Sequence, residues 1–226
     1  DWRHFEIEPD QTPIATDFTL PPDIGSVAFG LAAAALHPSN VTFLSPTPVQ
    51  GHPEIRVLEE LRGVGVPIHI PDDGLSISIE HDGTPPVAGR LDCREIPDMV
   101  PVLSTLASRA RGRTVLSHVS HVRLKESDRV QSMLQLRKMG AEVEFDGNDL
   151  EFHGVERLHG AELSSYNDHR VLMALAVAGS TVSQGMTELS YPHAYKISYP
   201  EFVSHMRELG VPLAVSNGVP EALCPS

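Results

Sequence analysis

The chain has 226 residues and a formal net charge of −13, with 41% hydrophobic and 21% charged residues. That length buries a sizeable core, and the composition is that of a globular protein. The acidic balance argues against nucleic acid and anionic membrane as partners, and no apolar run of about 18 residues marks a membrane span. The opening stretch DWRHFEIEPD lacks the basic-then-apolar pattern of a signal peptide. Cys93 and Cys224 lie far apart with no CxxC pair, which reads as two reduced thiols in a cytoplasmic protein. Twelve histidines are present, but neither HExxH nor paired-cysteine spacing, so no metal or cofactor is expected.

In chain order, Ser26–Leu36 (SVAFGLAAAAL) reads as a helix apolar nearly all round, hence buried. VTFLSP follows as a short strand. Leu58 then opens LEELRGVGVPIHI, an amphipathic helix with Arg62 in its last turn, Gly65 as left-handed C-cap and an extended stretch beyond. Asp73-Gly74 turns the chain into a hairpin. The order recurs. Met99–Ala110 is a second buried helix, Thr114–Leu124 alternates like a strand, and MLQLRKMGAEVEF carries Arg137 and Gly140. A second hairpin turns around Gly147-Asn148. His169–Gly179 is a third buried helix, TVSQGM the strand after it, and FVSHMRELGVPLAV carries Arg207 and Gly210. The three glycines lie 75 and 70 residues apart, so the chain is a threefold repeat. The expected fold class is α+β, with three βαβαββ-type repeats around buried helices. A single domain covers 1–219 (about 18–90, 91–160 and 161–219), and 220–226 form a tail.

Charge gathers at helix starts. In HVRLKESDRV, Ser127 or Asp128 is the N-cap and Arg129 falls in the first turn, where a cation costs roughly 0.3–1 kcal/mol against the dipole. An anionic ligand would compensate it, with Lys125 just upstream. In SSYNDHRVLMAL, Asn167 or Asp168 caps the third buried helix, and His169 and Arg170 open it. In HAYKISYPEF, Lys196 precedes a helix beginning near Ser198 or Tyr199. Each is a solvated surface charge taken alone; together they point to one anion pocket. Asp98, in IPDMVP, is either the N-cap of the second buried helix or a carboxylate at the pocket mouth. Glu126 is the second candidate acid.

The stretches IPDMVP, VRLKESDRV, YNDHRVLMALAVAG and YKISYPEF resemble, in order and spacing, the second half of the 5-enolpyruvylshikimate-3-phosphate synthase family. The resemblance implies a two-domain fold of which this chain is one domain. It implies transfer of the enolpyruvyl group of phosphoenolpyruvate to the 5-hydroxyl of shikimate 3-phosphate, with release of phosphate. By motif, Asp98 resembles the general base at that hydroxyl and Glu126 the acid that protonates the methylene carbon. Lys125 and His121 fall where the family contacts shikimate 3-phosphate. Arg129, Arg170 and Lys196 resemble the cations holding phosphoenolpyruvate. Near Pro21 the family's Gly-Asp-Ala-Ser-Ser stretch is replaced by PPDIGSVAF, which keeps Asp23 and Ser26. Motifs of the family's first half are not recognisable, so the implied partner is an N-terminal half-domain, without which the chain is expected to be inactive. The competing readings are a noncatalytic protein that binds an anionic metabolite or a partner with this domain, and a transferase acting on UDP-N-acetylglucosamine, against which the Lys-Glu-Ser-Asp-Arg and Asp-His-Arg pair speaks.

Overall fold

The computed structural model describes residues 3–216; the expected tail at 220–226 and Cys224 lie outside them. Three buried helices form the centre. α1 (Ile24–Leu36) starts two residues earlier than its apolar pattern suggests, because Asp23 caps it by accepting the Ser26 amide. α3 (Val100–Arg109) and α5 (His169–Ser180) touch α1 and each other. The four alanines Ala32–Ala35, all buried, keep one turn of α1 thin on every side. The Thr105 hydroxyl, fully buried on α3, donates to the Ala174 carbonyl of α5 at 3.0 Å, which satisfies it inside an apolar interface.

Around them lie shorter elements: β1 (Pro38–Leu44), α2 (Arg56–Gly63), β2 (Ile68–His69), β3 (Ser76–Asp82), β4 (Arg90–Asp92), β5 (Arg113–Ser117), α4 (Arg129–Leu134), β6 (Glu142–Phe145), β7 (Leu150–His153), β8 (Glu162–Leu163), β9 (Glu188–Leu189) and α6 (Phe202–Glu208). They make an antiparallel sheet β1-β3-β2, a mixed sheet β4-β5-β7-β6 and a parallel pair β8-β9. The hairpins expected at Gly74 and Gly147 join β2 to β3 and β6 to β7, with both glycines at positive φ.

The three Arg-x-x-Gly helix ends share one geometry. Gly65, Gly140 and Gly210 have φ of +84°, +90° and +86°. In each, the glycine amide donates to the arginine carbonyl, and the next amide donates five residues back: Val66 to Leu61, Ala141 to Leu136, Val211 to Met206. The arginine does more than face the helix dipole. Its Nε reaches the carbonyl six residues ahead, Arg62 to Ile68 (3.0 Å), Arg137 to Val143 (2.7 Å) and Arg207 to Leu213 (2.7 Å), and so pins the following extended segment to the helix.

Three expectations fail, the first two through nonlocal contacts. The strand expected over Thr114–Leu124 ends at Ser117, since His118 turns left-handed (φ +60°) and gives its amide to the Asp149 carboxylate at 3.0 Å; Ser120–Leu124 is a 3-10 turn. TVSQGM contributes only a bridge from Val182 to Leu158, and the strand comes later, at β9. There Gly185 bends the chain at φ +79°, and Gly160 packs so tightly on the Met186 backbone that a Cβ would lie 2.4 Å from its carbonyl oxygen. The helix expected near Ser198 begins at Phe202; Lys196 sits in a separate 3-10 turn, Ala194–Ile197.

Candidate active site

Five of the seven candidate residues meet where the turns before α3 and α4 face the start of α5. Asp98 lies in the 3-10 turn Pro97–Met99. It does not cap α3: its carboxylate turns away to accept from Arg129 Nη1 at 2.6 Å and to pair with Lys125 Nζ at 3.1 Å. Arg170 Nη2 stands 3.8 Å from its other oxygen. Asp128, not Ser127, caps α4 through the Gln131 amide.

Arg129 corrects the expectation of a cation waiting for a ligand. Its side chain is 0% exposed, and protein carboxylates already compensate it. Nε donates to Asp168 at 2.9 Å, Nη1 to Asp98, and Nη2 to Glu126 at 2.7 Å. Asp168, also fully buried, accepts in addition from Ser127 Oγ and from the Arg170 and Val171 amides, so one carboxylate caps α5 and clamps Arg129. Tyr166 and Asn167, both left-handed (φ +51° and +59°), turn the chain into that position. Burial lowers the pKa of His169; the Asp168 charge opposes the shift and the neighbouring Arg170 adds to it.

Burial would raise the Asp168 carboxyl, but the Arg129 hydrogen bond and charge, with the bonds from Ser127 and the Val171 amide, together outweigh it and hold the group below its ordinary value. At Asp98 burial is likewise overcome, by Arg170, Arg129 and Lys125. A carboxyl depressed in the folded state contributes stability that is complete above its unfolded value and is lost as pH falls through its folded value. Stability should therefore decline as pH drops below about 4. Asp98→Asn should make that decline shallower in urea titrations read by circular dichroism; an unchanged slope would deny Asp98 this role.

Lys125, Arg129 and Arg170 balance Asp98, Glu126 and Asp168, so the cluster is neutral as a unit. It is open to one side: the Lys125, Asp98 and Glu126 side chains are 33%, 29% and 52% exposed. His121 and Lys196 are both exposed, and among the described residues neither side chain is ion-paired or hydrogen-bonded to the cluster. A cleft of about 700 Å³, lined among others by Glu80, His81, Asp82 and Arg111, contains none of the cluster. The motif reading missed the clamp by Asp168 and the grouping of Asp23, which it named, with His52 and Glu54, which it did not; the ligand-type atoms of these three lie within 4.8 Å of one another. No local pattern marks that group. Cys93 is buried and its thiol pushed up to about 12, chiefly by burial, which makes it unreactive.

A helix-centred mixed domain that presents an internally neutral carboxylate–guanidinium cluster on an open face is the class of structure this chain defines. The comparisons with known proteins make it particular. The family model for EPSP synthase (3-phosphoshikimate 1-carboxyvinyltransferase) matches residues 1–206, and the chain belongs to that family. It is 33% identical over 209 residues to the 3-phosphoshikimate 1-carboxyvinyltransferase of Methanococcus maripaludis, covering 91% of this chain and 47% of that protein. It is 35% identical over 221 residues to the enzyme of that name from Methanocella arvoryzae, covering 95% and 50%. An EPSP synthase structure from Acinetobacter baumannii superposes with a TM-score of 0.75 at 26% identity, covering 88% of this chain and 48% of that one. The chain spans about half the length of the relatives it matches. Among the described residues no helix is long and apolar enough to cross a membrane.

Proposed function

We propose that this chain supplies the C-terminal half of the active site of a 3-phosphoshikimate 1-carboxyvinyltransferase, and that an N-terminal half-domain closes the other side. The observation that carries the reading is the assembly of Asp98, Lys125, Glu126, Arg129 and Arg170, from separate segments, into one ion-paired group. In the same reading the domain runs over 1–219 as three repeats, which the three identical helix ends support.

In this reading the charge balance accounts for a half-site that does not turn over alone. Shikimate 3-phosphate and phosphoenolpyruvate are both anions, and a neutral cluster offers them only the local attraction of single guanidinium or ammonium groups, too little to hold both in reacting positions. Further cations must come from elsewhere, and in this reading the partner half brings them. Once anions draw Lys125, Arg129 and Arg170 towards themselves, Asp98 loses the partners that depress its pKa and gains basicity. A carboxylate held that low is a poor general base. Ligand binding thus turns Asp98 from an ion-pair member into the acceptor of the 5-hydroxyl proton. Glu126, freed from Arg129 in the same step, takes up a proton from solvent and passes it to the methylene carbon.

Lys125→Ala tests the assignment. Among the described residues Lys125 has one ion-pair partner, and its side chain is partly exposed, so folding should be unaffected, while turnover by the chain mixed with an N-terminal half should fall at least tenfold, read as phosphate release. Unchanged turnover would remove Lys125 from the site.

A further inference from the structure

Beside the cluster, at the start of α1, three charged atoms converge over a glycine. A Cβ on Gly25 would lie 2.8 Å from Glu54 Oε2, 2.9 Å from Arg170 Nη1 and 3.0 Å from Asp23 Oδ1. The absent side chain is what lets Arg170 and Glu54 approach this helix start. Arg170 Nη1 is buried there with no hydrogen-bond partner, an expensive state for a guanidinium nitrogen. Asp23, His52 and Glu54 are close enough to suggest a metal site, but the hydrogen bonding opposes one. The Glu54 amide donates to His52 Nδ1 at 3.1 Å, so the neutral ring carries its proton on Nε2, the atom facing Asp23. A protonated Nε2 cannot ligate a metal, and the Arg170 charge repels a cation.

The groups facing Glu54 are His52 on its own turn, Asp23 at the cap of α1, Arg170 from α5 and Asp98 from the turn before α3. We propose that Glu54 is a positioning residue for Arg170 that takes up a proton when an anion binds to Arg170, so that anion and proton bind together. The proposal rests on the reading that Arg170 meets an anionic ligand, and it assigns that ligand's recognition a proton. Burial raises the Glu54 carboxyl most, and Arg170 opposes the rise. An anion on the Arg170 guanidinium, whose side chain is 15% exposed, screens its charge and adds negative charge nearby, both of which favour the protonated carboxyl. The protonated group then donates a hydrogen bond where a carboxylate would repel.

The sign follows by linkage. Anion affinity is highest below the Glu54 pKa and falls as pH rises through it, by up to about tenfold per pH unit for one proton. The test is sulfate binding to the 226-residue chain by calorimetry from pH 4.5 to 8, in buffers of different ionisation heat. Sulfate keeps its charge across that range. The expected result is a fall in affinity with pH and net proton uptake. Glu54→Gln should flatten the profile at the tight-binding level, Glu54→Asp should keep the slope, and Arg170→Met should abolish binding. His52→Gln should leave the slope in place. A slope that survives Glu54→Gln, or disappears in His52→Gln, overturns the proposal, as does absence of sulfate binding. Because the measurement needs no partner half and no turnover, its failure is separate from failure of the enzymatic reading.

Discussion

Asp168→Ala is expected to destabilise the fold by about 3–5 kcal/mol, the range for breaking a buried ion pair from one side. The Arg129 guanidinium has no exposure, so water cannot replace the lost carboxylate. Two of its hydrogen bonds end at Asp168, as do those of the Ser127 hydroxyl and the first amides of α5. The helix-cap share is about 1 kcal/mol; the stranded charge dominates. A double-mutant cycle separates the two. Arg129→Met removes the charge, so the Asp168→Ala, Arg129→Met pair should recover a large part of the loss, leaving mainly the cap. Guanidinium denaturation followed by circular dichroism measures each variant. A cost below about 1 kcal/mol for Asp168→Ala would mean that Arg129 finds other partners and that the buried clamp is not what holds α4 to α5.

Asp98→Asn should leave the fold nearly intact and remove turnover by the reconstituted pair. Asparagine keeps an oxygen for Arg129, and the site is partly open at 29% side-chain exposure, so the structural loss is small. What disappears is the only group in the cluster that three cations face at once and that ligand binding would release as a base. The expected fall is about 10²–10⁴-fold in kcat, the range for a positioned acid–base group, with the protein still folded at the assay temperature and its thermal midpoint lowered only modestly. A fall confined to KM would make Asp98 a binding residue and leave proton transfer to another group.

How much was legible in the sequence depended on how local the cause was. The helix ends at Gly65, Gly140 and Gly210 were legible because a left-handed C-cap is decided within one turn. The arginine latches were half legible: Arg62, Arg137 and Arg207 could be placed in last turns, but their carbonyl partners six residues on could not. The members of the charged cluster were legible through motifs; their relations were not. Arg129 was expected to await an anion because its clamp, Asp168, lies 39 residues away and read as a helix cap. Asp98 read as easily as a cap, and only the fold shows it turned towards Arg129. Glu54 and His52 left no trace, since they join Arg170 only through the gap left by Gly25. The misplaced third strand has the same origin: Gly160 against the Met186 backbone is a contact between segments.

The central claim is that this chain carries one complete side of a two-sided site. It is tested most directly by assaying phosphate release from shikimate 3-phosphate and phosphoenolpyruvate with the 226-residue chain alone, with an N-terminal half alone, and with both mixed. The prediction is no turnover by either part and turnover by the mixture that saturates as the halves approach equal amounts. Turnover by the chain alone would contradict the claim, and a silent mixture of folded, associated halves would leave the chain an anion-binding relative of the enzyme instead of half of it.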